Sequence, residues 1–233
     1  MASSDEREIR DAVVARLREL LPSARIVHEL NIAGQGSNRI DVAAVTRNAI
    51  VAAEIKSKKD KLDRLDTQWP AFLKVSDYLI VAAHEKHFVR HRDKWEREDS
   101  PGELRLNHVL FLNSWSRRKY VWPYPRPAEE RGAWTFDPIR DIQMRFPLNA
   151  GDMLNMLWAD ELSAECSRHR VAAGARPTRF TMIRQMASMM TGREVREAVC
   201  RQLRQRSFAE ADEPIRDDPR PDSQAVMPMG ATV

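Results

Sequence analysis

A chain of 233 residues, 42% of them hydrophobic, has the material for one domain core plus an appendage, and no apolar run reaches the length of a membrane span. The formal charge of +4 is unevenly spread: residues 209–233 carry six acids and two arginines, a net of −4, which leaves +8 on residues 1–208 and suits a polyanionic partner such as DNA. Two distant cysteines, Cys166 and Cys200, give no disulfide framework and no thiolate zinc site, and the polar, acidic N-terminus is unlike a signal peptide, so a cytoplasmic protein is expected.

The first predicted element is a helix. Ile9, Val13, Val14, Leu17, Leu20 and Leu21 form an apolar stripe that Pro22 stops. Residues 25–32 read as a strand ending in the turn 33–38. Two more apolar strands follow, 39–45 and 49–56, joined by Arg47-Asn48, a two-residue hairpin loop that Asn suits because it tolerates positive φ. With that loop, paired positions sum to 95, so Thr46 faces Ala49, Val45 faces Ile50 and Asp41 faces Glu54. Opposed cross-strand residues have Cβ atoms about 4.5–5.5 Å apart. Two carboxylates so placed repel and raise each other's pKa, a liability that a shared divalent cation turns into a binding site. Glu54 and Lys56 alternate onto one side of their strand. An ammonium beside a bound metal can orient a water nucleophile and offset phosphate charge. Folding back across the 33–38 turn brings Glu29 to within one residue of the level of Asp41, so that Glu29, Asp41 and Glu54 are expected in one lateral row.

This constellation resembles the PD-(D/E)XK nuclease superfamily, with Ile40-Asp41 matching its "PD" element and Glu54-Ile55-Lys56 its "(D/E)XK" element. The helix expected over 60–73 places Gln68 and Phe72 four apart, similar to the Q-x-x-x-Y element of the RecB-like branch, with Phe in place of Tyr; small bacterial and phage members of MmcB-like type are also similar. The resemblance implies an α/β restriction-endonuclease-like core: helix, three-stranded antiparallel meander, helix, strand. It implies a Mg²⁺ (or Mn²⁺) ion held by Asp41 and Glu54, with Glu29 assisting directly or through water. Asp41, Glu54, Lys56 and Gln68 would be the catalytic set, and Glu54→Ala and Lys56→Ala are each expected to abolish cleavage without unfolding the protein. Some members place a further catalytic Glu on the first helix, where Glu8 and Glu19 read better as a solvated face. Lys58, Lys59 and Lys61 lie where a phosphate backbone would approach, and Arg39 stands beside Asp41.

Residues 78–83 read as a buried strand, reached through the preceding helix by a crossover that permits parallel pairing. His84, His87 and His91 then follow at helical spacing. A helix over 87–95 is expected to close the core, its histidines forming a polar face rather than a zinc site. Residues 107–113 read as a strand. The stretch 115–124 mixes Arg117, Arg118 and Lys119 with aromatics, a pattern that can stack bases and bind phosphates. Five prolines in 123–150 make a linker or wrapping loop. From Asn149 the pattern is helical: one helix burying Met153, Leu154, Met156, Leu157, Ala159, Leu162 and Cys166; a second over about 179–190 burying Met182, Ile183, Met186, Met189 and Met190; and a third with Val195, Val199 and Leu203. Eight arginines against two acids over 176–206 leave two readings, a DNA-binding helical appendage or a cap on the core with a solvated basic face. The expected layout is a core over 1–125, a Pro-rich segment over 126–150, a basic C-terminal α-helical appendage over 151–208 and a disordered acidic tail over 209–233. A nuclease-like DNA-binding module without catalysis, and a regulator acting through the C-terminal helices, are the alternative functions.

Overall fold

The computed structural model describes residues 4–32, 38–92, 102–112, 121–125 and 148–216. Its centre is a mixed five-stranded sheet in the order β1-β2-β3-β4-β7, formed by β1 (Arg25–Asn31), β2 (Arg39–Val45), β3 (Ile50–Lys56), β4 (Tyr78–His84) and β7 (Val121–Tyr124). β1, β2 and β3 form an antiparallel meander, while β3–β4 and β4–β7 pair in parallel. The helix α2 (Leu65–Leu73) makes the crossover from β3 to β4. The Arg47-Asn48 loop sets the predicted register, since Val42 faces Ala53 and Val45 faces Ile50.

Alternation along the strands builds two cores. On one face Ile9, Val13 and Leu17 of α1 (Ser4–Leu20) cover Ile26, Val42, Ala44, Val51, Ala53 and Ile80. On the other, Val27, Ala43, Val45, Ile50 and Ala52 meet Trp69 and Phe72 of α2 and continue without a break into the C-terminal helices α4 (Ala150–Leu154), α5 (Ala159–Arg168), α6 (Arg179–Met189) and α7 (Gly192–Gln205). The C-terminal helices are therefore a layer of the core and not an appendage. Their buried methionines (Met153, Met156, Met182, Met186, Met190) fill the space against the sheet, and Val195, Val199 and Leu203 of α7 complete it.

Four other expectations are corrected. The helix expected over 87–95 is absent from its described part, 87–92: Glu85–His87 is a single 3₁₀ turn, and β5 (Phe88–His91) pairs with β6 (Glu103–Leu106) as a separate two-stranded ribbon, while 93–95 lie outside the described residues. The aromatic and β-branched pair Phe88-Val89 suits that strand, and its partner lies too far along the chain to be read from local spacing. Residues 107–112 are not the expected strand, since β6 ends before them and Val109–Leu112 is a helical turn, α3. The helix predicted from Asn149 breaks after Leu154. The break turns the Asn155 and Leu157 carbonyls toward Arg179, whose guanidinium donates to both. Met189 is exposed, while Ile183 is half-buried.

The tail also departs from expectation. Residues 209–216 are placed along the edge of β1: Ala211 bridges Val27, the His28 N–H donates to the Glu210 carbonyl, and the Asp212 carboxylate accepts from the Ile26 N–H while pairing with Arg18 at 2.7 Å. This short segment covers the outer edge of β1, the kind of edge that otherwise invites association. The 33–37 turn, residues 126–147 of the Pro-rich segment and 217–233 of the tail lie outside the described residues.

Arg25 locks the tail, β1 and α7 together. It is 1% exposed, and its Nη1 donates to the carbonyls of Leu203, Arg204 and Arg206 at 2.9, 3.0 and 2.6 Å, capping the C-terminus of α7. Its Nε donates to the Asp212 carbonyl at 2.9 Å. Arg25→Ala strands several buried carbonyls and opens a cavity, so a loss of about 3–5 kcal/mol is expected, read as a lower urea midpoint at unchanged slope.

Candidate active site

β3 carries the centre of the site. All seven of its residues are buried, Glu54 and Lys56 among them, at 2% and 4% exposure. Lys56 Nζ donates to Glu54 Oε1 at 2.7 Å and to Gln68 Oε1 of α2 at 2.9 Å. Gln68 is itself 3% exposed, one helical face deep in the contact between α2 and the sheet. The other Glu54 oxygen, Oε2, is buried and makes no hydrogen bond of good geometry, while the Gln68 amide and the Arg64 charge add to Lys56 in favouring the charged carboxylate. A carboxylate that deep with one oxygen unsatisfied is costly unless something positive reaches it.

Asp41 supplies the second carboxylate. The β2–β3 ladder runs to Val42–Ala53, one step short of the Asp41–Glu54 level. In this register the Ile55 N–H points toward β2, and the Asp41 Oδ2 accepts it at 2.7 Å where a strand carbonyl would otherwise stand. The side chain is thereby fixed at the end of the hairpin beside Glu54. Burial, then the negative charge of Glu54, push the Asp41 carboxyl well above the usual range, against the pull of the Ile55 N–H. Burial also raises the Glu54 carboxyl, against the charge and hydrogen bond of Lys56. Glu54 and Lys56 are covered and Asp41 is partly exposed, so the approach to the pair is from the Asp41 side.

Glu29 corrects the expected three-acid row. Its register is as predicted, since His28–Val42 and Leu30–Ile40 pair on either side of it. Its backbone, however, is left-handed, with φ +50. That residue turns the strand over by one position, so Leu30 joins the same core as Val27, and the Glu29 carboxylate swings to Arg10 of α1 (3.2 Å) and Arg39 (3.8 Å). Glu29 acts on Asp41 only through its charge. Among the described residues no group of three or more His, Cys, Asp or Glu side chains converges on a common point. Two carboxylates, Asp41 and Glu54, remain beside each other at the end of the hairpin.

The surrounding predictions divide. Lys58, Lys59 and Lys61 are exposed in the loop after β3, and Arg39 is exposed beside Glu29. Arg117, Arg118 and Lys119 lie outside the described residues. Glu8 is solvated, and Glu19 pairs with Arg16 on the helix surface at 2.7 Å. The histidines do not gather: His84 Nδ1 accepts from the Lys86 N–H, and the His87 ring bonds the Ser57 carbonyl. Both cysteines are buried thiols whose pKa is raised by burial.

The arginines of 176–206 are largely spent inside the protein. Arg196 pairs with buried Asp77, Arg201 clamps the fully buried Glu165 with two bonds, Arg204 reaches the Ser23 carbonyl, and Arg206 holds Glu161. They tie α7 to α5, β4 and the N-terminal half, a role that the charge count alone could not reveal.

The architecture is thus a mixed α/β protein with a buried acid–lysine–glutamine cluster at the end of its central hairpin. Residues 1–98 match the family model described as bacteriophage P4 protein cII, a stretch that runs from α1 through β5 and contains Asp41, Glu54, Lys56 and Gln68. No curated protein and no solved structure matches the chain.

Proposed function

We propose that this protein is a Mg²⁺- or Mn²⁺-dependent nuclease of the PD-(D/E)XK type that hydrolyses DNA phosphodiester bonds. One observation carries the reading: the buried Glu54 carboxylate, held by Lys56 and Gln68, keeps one oxygen without a well-formed hydrogen bond beside Asp41. The order α1, antiparallel meander, α2, β4 supports it as the core order of that superfamily. The similarity of residues 1–98 to a bacteriophage protein is compatible with a role in processing phage DNA.

The donor set fits such an ion. Mg²⁺ takes hard oxygen ligands and commonly binds through one or two carboxylates, waters and substrate oxygens. Asp41 and Glu54 would hold it, and when bound it would polarise the phosphate and acidify the attacking water. Lys56 has three N–H donors, two of them committed to Glu54 and Gln68. The third is available to orient the water or to neutralise charge on a phosphate oxygen. Gln68 positions Lys56 by accepting from it, and Lys58, Lys59 and Lys61 draw the backbone toward the site.

Incubation with linear, circular and branched DNA tests this reading. Cleavage is expected with Mg²⁺ or Mn²⁺ and none with EDTA. Binding that survives EDTA, with no cleavage under any divalent ion, would instead make the chain a nuclease-like binding module.

A further inference from the structure

The chain leaving Lys56 is held far more tightly than a surface turn requires. Ser57, the next residue, is 3% exposed. Its N–H and its hydroxyl both donate to Asp60 Oδ2 at 2.7 Å. Its carbonyl accepts the Asp60 N–H at 3.2 Å, which closes a β-turn over residues 57–60. The same carbonyl lies 2.8 Å from His87 Nε2, and because a carbonyl only accepts, that nitrogen carries the proton. Every polar group of Ser57 is thereby tied, and His87 anchors the turn to the end of β4.

Lys58 and Lys59 occupy the two corners of this turn and are exposed. The only acid of the turn, Asp60, directs an oxygen inward to Ser57 rather than outward to the lysines. The turn therefore fixes the backbone that carries two adjacent like charges, a repulsive arrangement that an anion relieves. The corners follow Lys56 by two and three residues in the sequence.

We propose that residues 57–60 form a preorganised site for nucleic-acid backbone phosphate, with Lys58 and Lys59 as the contacting groups and Asp60 and His87 as the positioning residues that hold them in register with Lys56. The proposal rests on the nuclease reading for the place of the scissile phosphate, but the site itself binds without a metal. A fixed turn spares the substrate the cost of ordering two flexible lysines, so loosening the turn weakens binding even though both charges remain.

The test is fluorescence anisotropy of a short labelled DNA duplex, in EDTA so that nothing is cleaved, across a salt series. Lys58→Ala/Lys59→Ala is expected to lower the slope of log affinity against log salt by about two. Asp60→Ala is expected to weaken binding about tenfold, and His87→Ala to act in the same direction. Asp60→Asn keeps an acceptor oxygen for Ser57 and is expected to bind within about twofold of the native chain. The lysine substitutions should cost less in the Asp60→Ala background than in the native one, a coupling that a merely structural turn would not show. Native affinity in Asp60→Ala, or an unchanged salt slope without the two lysines, would overturn the proposal. Binding as described by a chain that cleaves nothing with Mg²⁺ would remove the nuclease reading and leave this site standing, while cleavage with no dependence of binding on the turn would do the reverse.

Discussion

Asp41→Asn is expected to abolish cleavage while making the metal-free protein more stable at neutral pH. The amide keeps an oxygen to accept the Ile55 N–H and removes a charge that burial and Glu54 both oppose. The sign follows from linkage. A carboxyl whose pKa is raised by folding is destabilising when ionised, so above that raised pKa the native chain bears the full cost. As pH falls toward the ordinary Asp value of about 3.9, the folded chain takes up the proton first and the cost disappears. The difference in Tm between Asp41→Asn and the native chain should therefore be positive at neutral pH and shrink on acidification. Mg²⁺ should separate the two proteins in the other direction, by stabilising the native chain alone. At about a hundred times its Kd an ion contributes about 2.7 kcal/mol to the native chain, or roughly 5–10 °C in a protein of this size, and little to the variant. Loss of the ligand should lower the cleavage rate about a thousandfold or more. A variant less stable than the native chain in EDTA at neutral pH would contradict this picture of the site.

Glu54→Ala and Lys56→Ala should be inactive too, and the depth of the pair adds an expected loss of stability to each. Both side chains are at least 95% covered, and they bond each other at 2.7 Å. Removing one partner leaves a buried charge uncompensated, which typically costs about 3–5 kcal/mol. Replacing both with apolar residues of similar size, as in Glu54→Leu/Lys56→Met, should recover most of that loss while remaining inactive. Urea midpoints of the two single variants and the double variant would check this. A double variant as unstable as the singles would mean that Glu54 and Lys56 contribute to stability through contacts beyond each other. Inactive alanine variants are consequently weak tests of mechanism, and Glu54→Gln, which keeps an acceptor for Lys56, is the better one.

The hairpin was legible because a two-residue loop leaves a single register, so Arg47-Asn48 set the pairing of Val42–Val45 with Ile50–Ala53 from sequence alone. α1, α2, β4, α6 and α7 were legible for a related reason: each has an apolar stripe with clear stops, Pro22 after α1 and Thr191-Gly192 before α7. Failures came where distant contacts decide. The left-handed Glu29 is set by its pull toward Arg10 and Arg39, which no local pattern encodes. β5 depends on β6, and the break after Leu154 depends on Arg179. The arginine-rich stretch read as a basic surface because charge counting cannot see partners such as Asp77 and Glu165 buried elsewhere in the chain. The Ser57–Asp60 tie carries a local signal, a Ser with an Asp three residues on, in a stretch whose charge pattern is dominated by the lysines between them.

The most direct measurement is Mn²⁺ binding, counted by titration against the paramagnetic signal of the free ion. One ion per native chain is predicted, with the tight site lost in both Asp41→Asn and Glu54→Gln. A native chain that takes up no ion, or variants that retain the same site, would contradict the assignment of these two carboxylates to a shared cation.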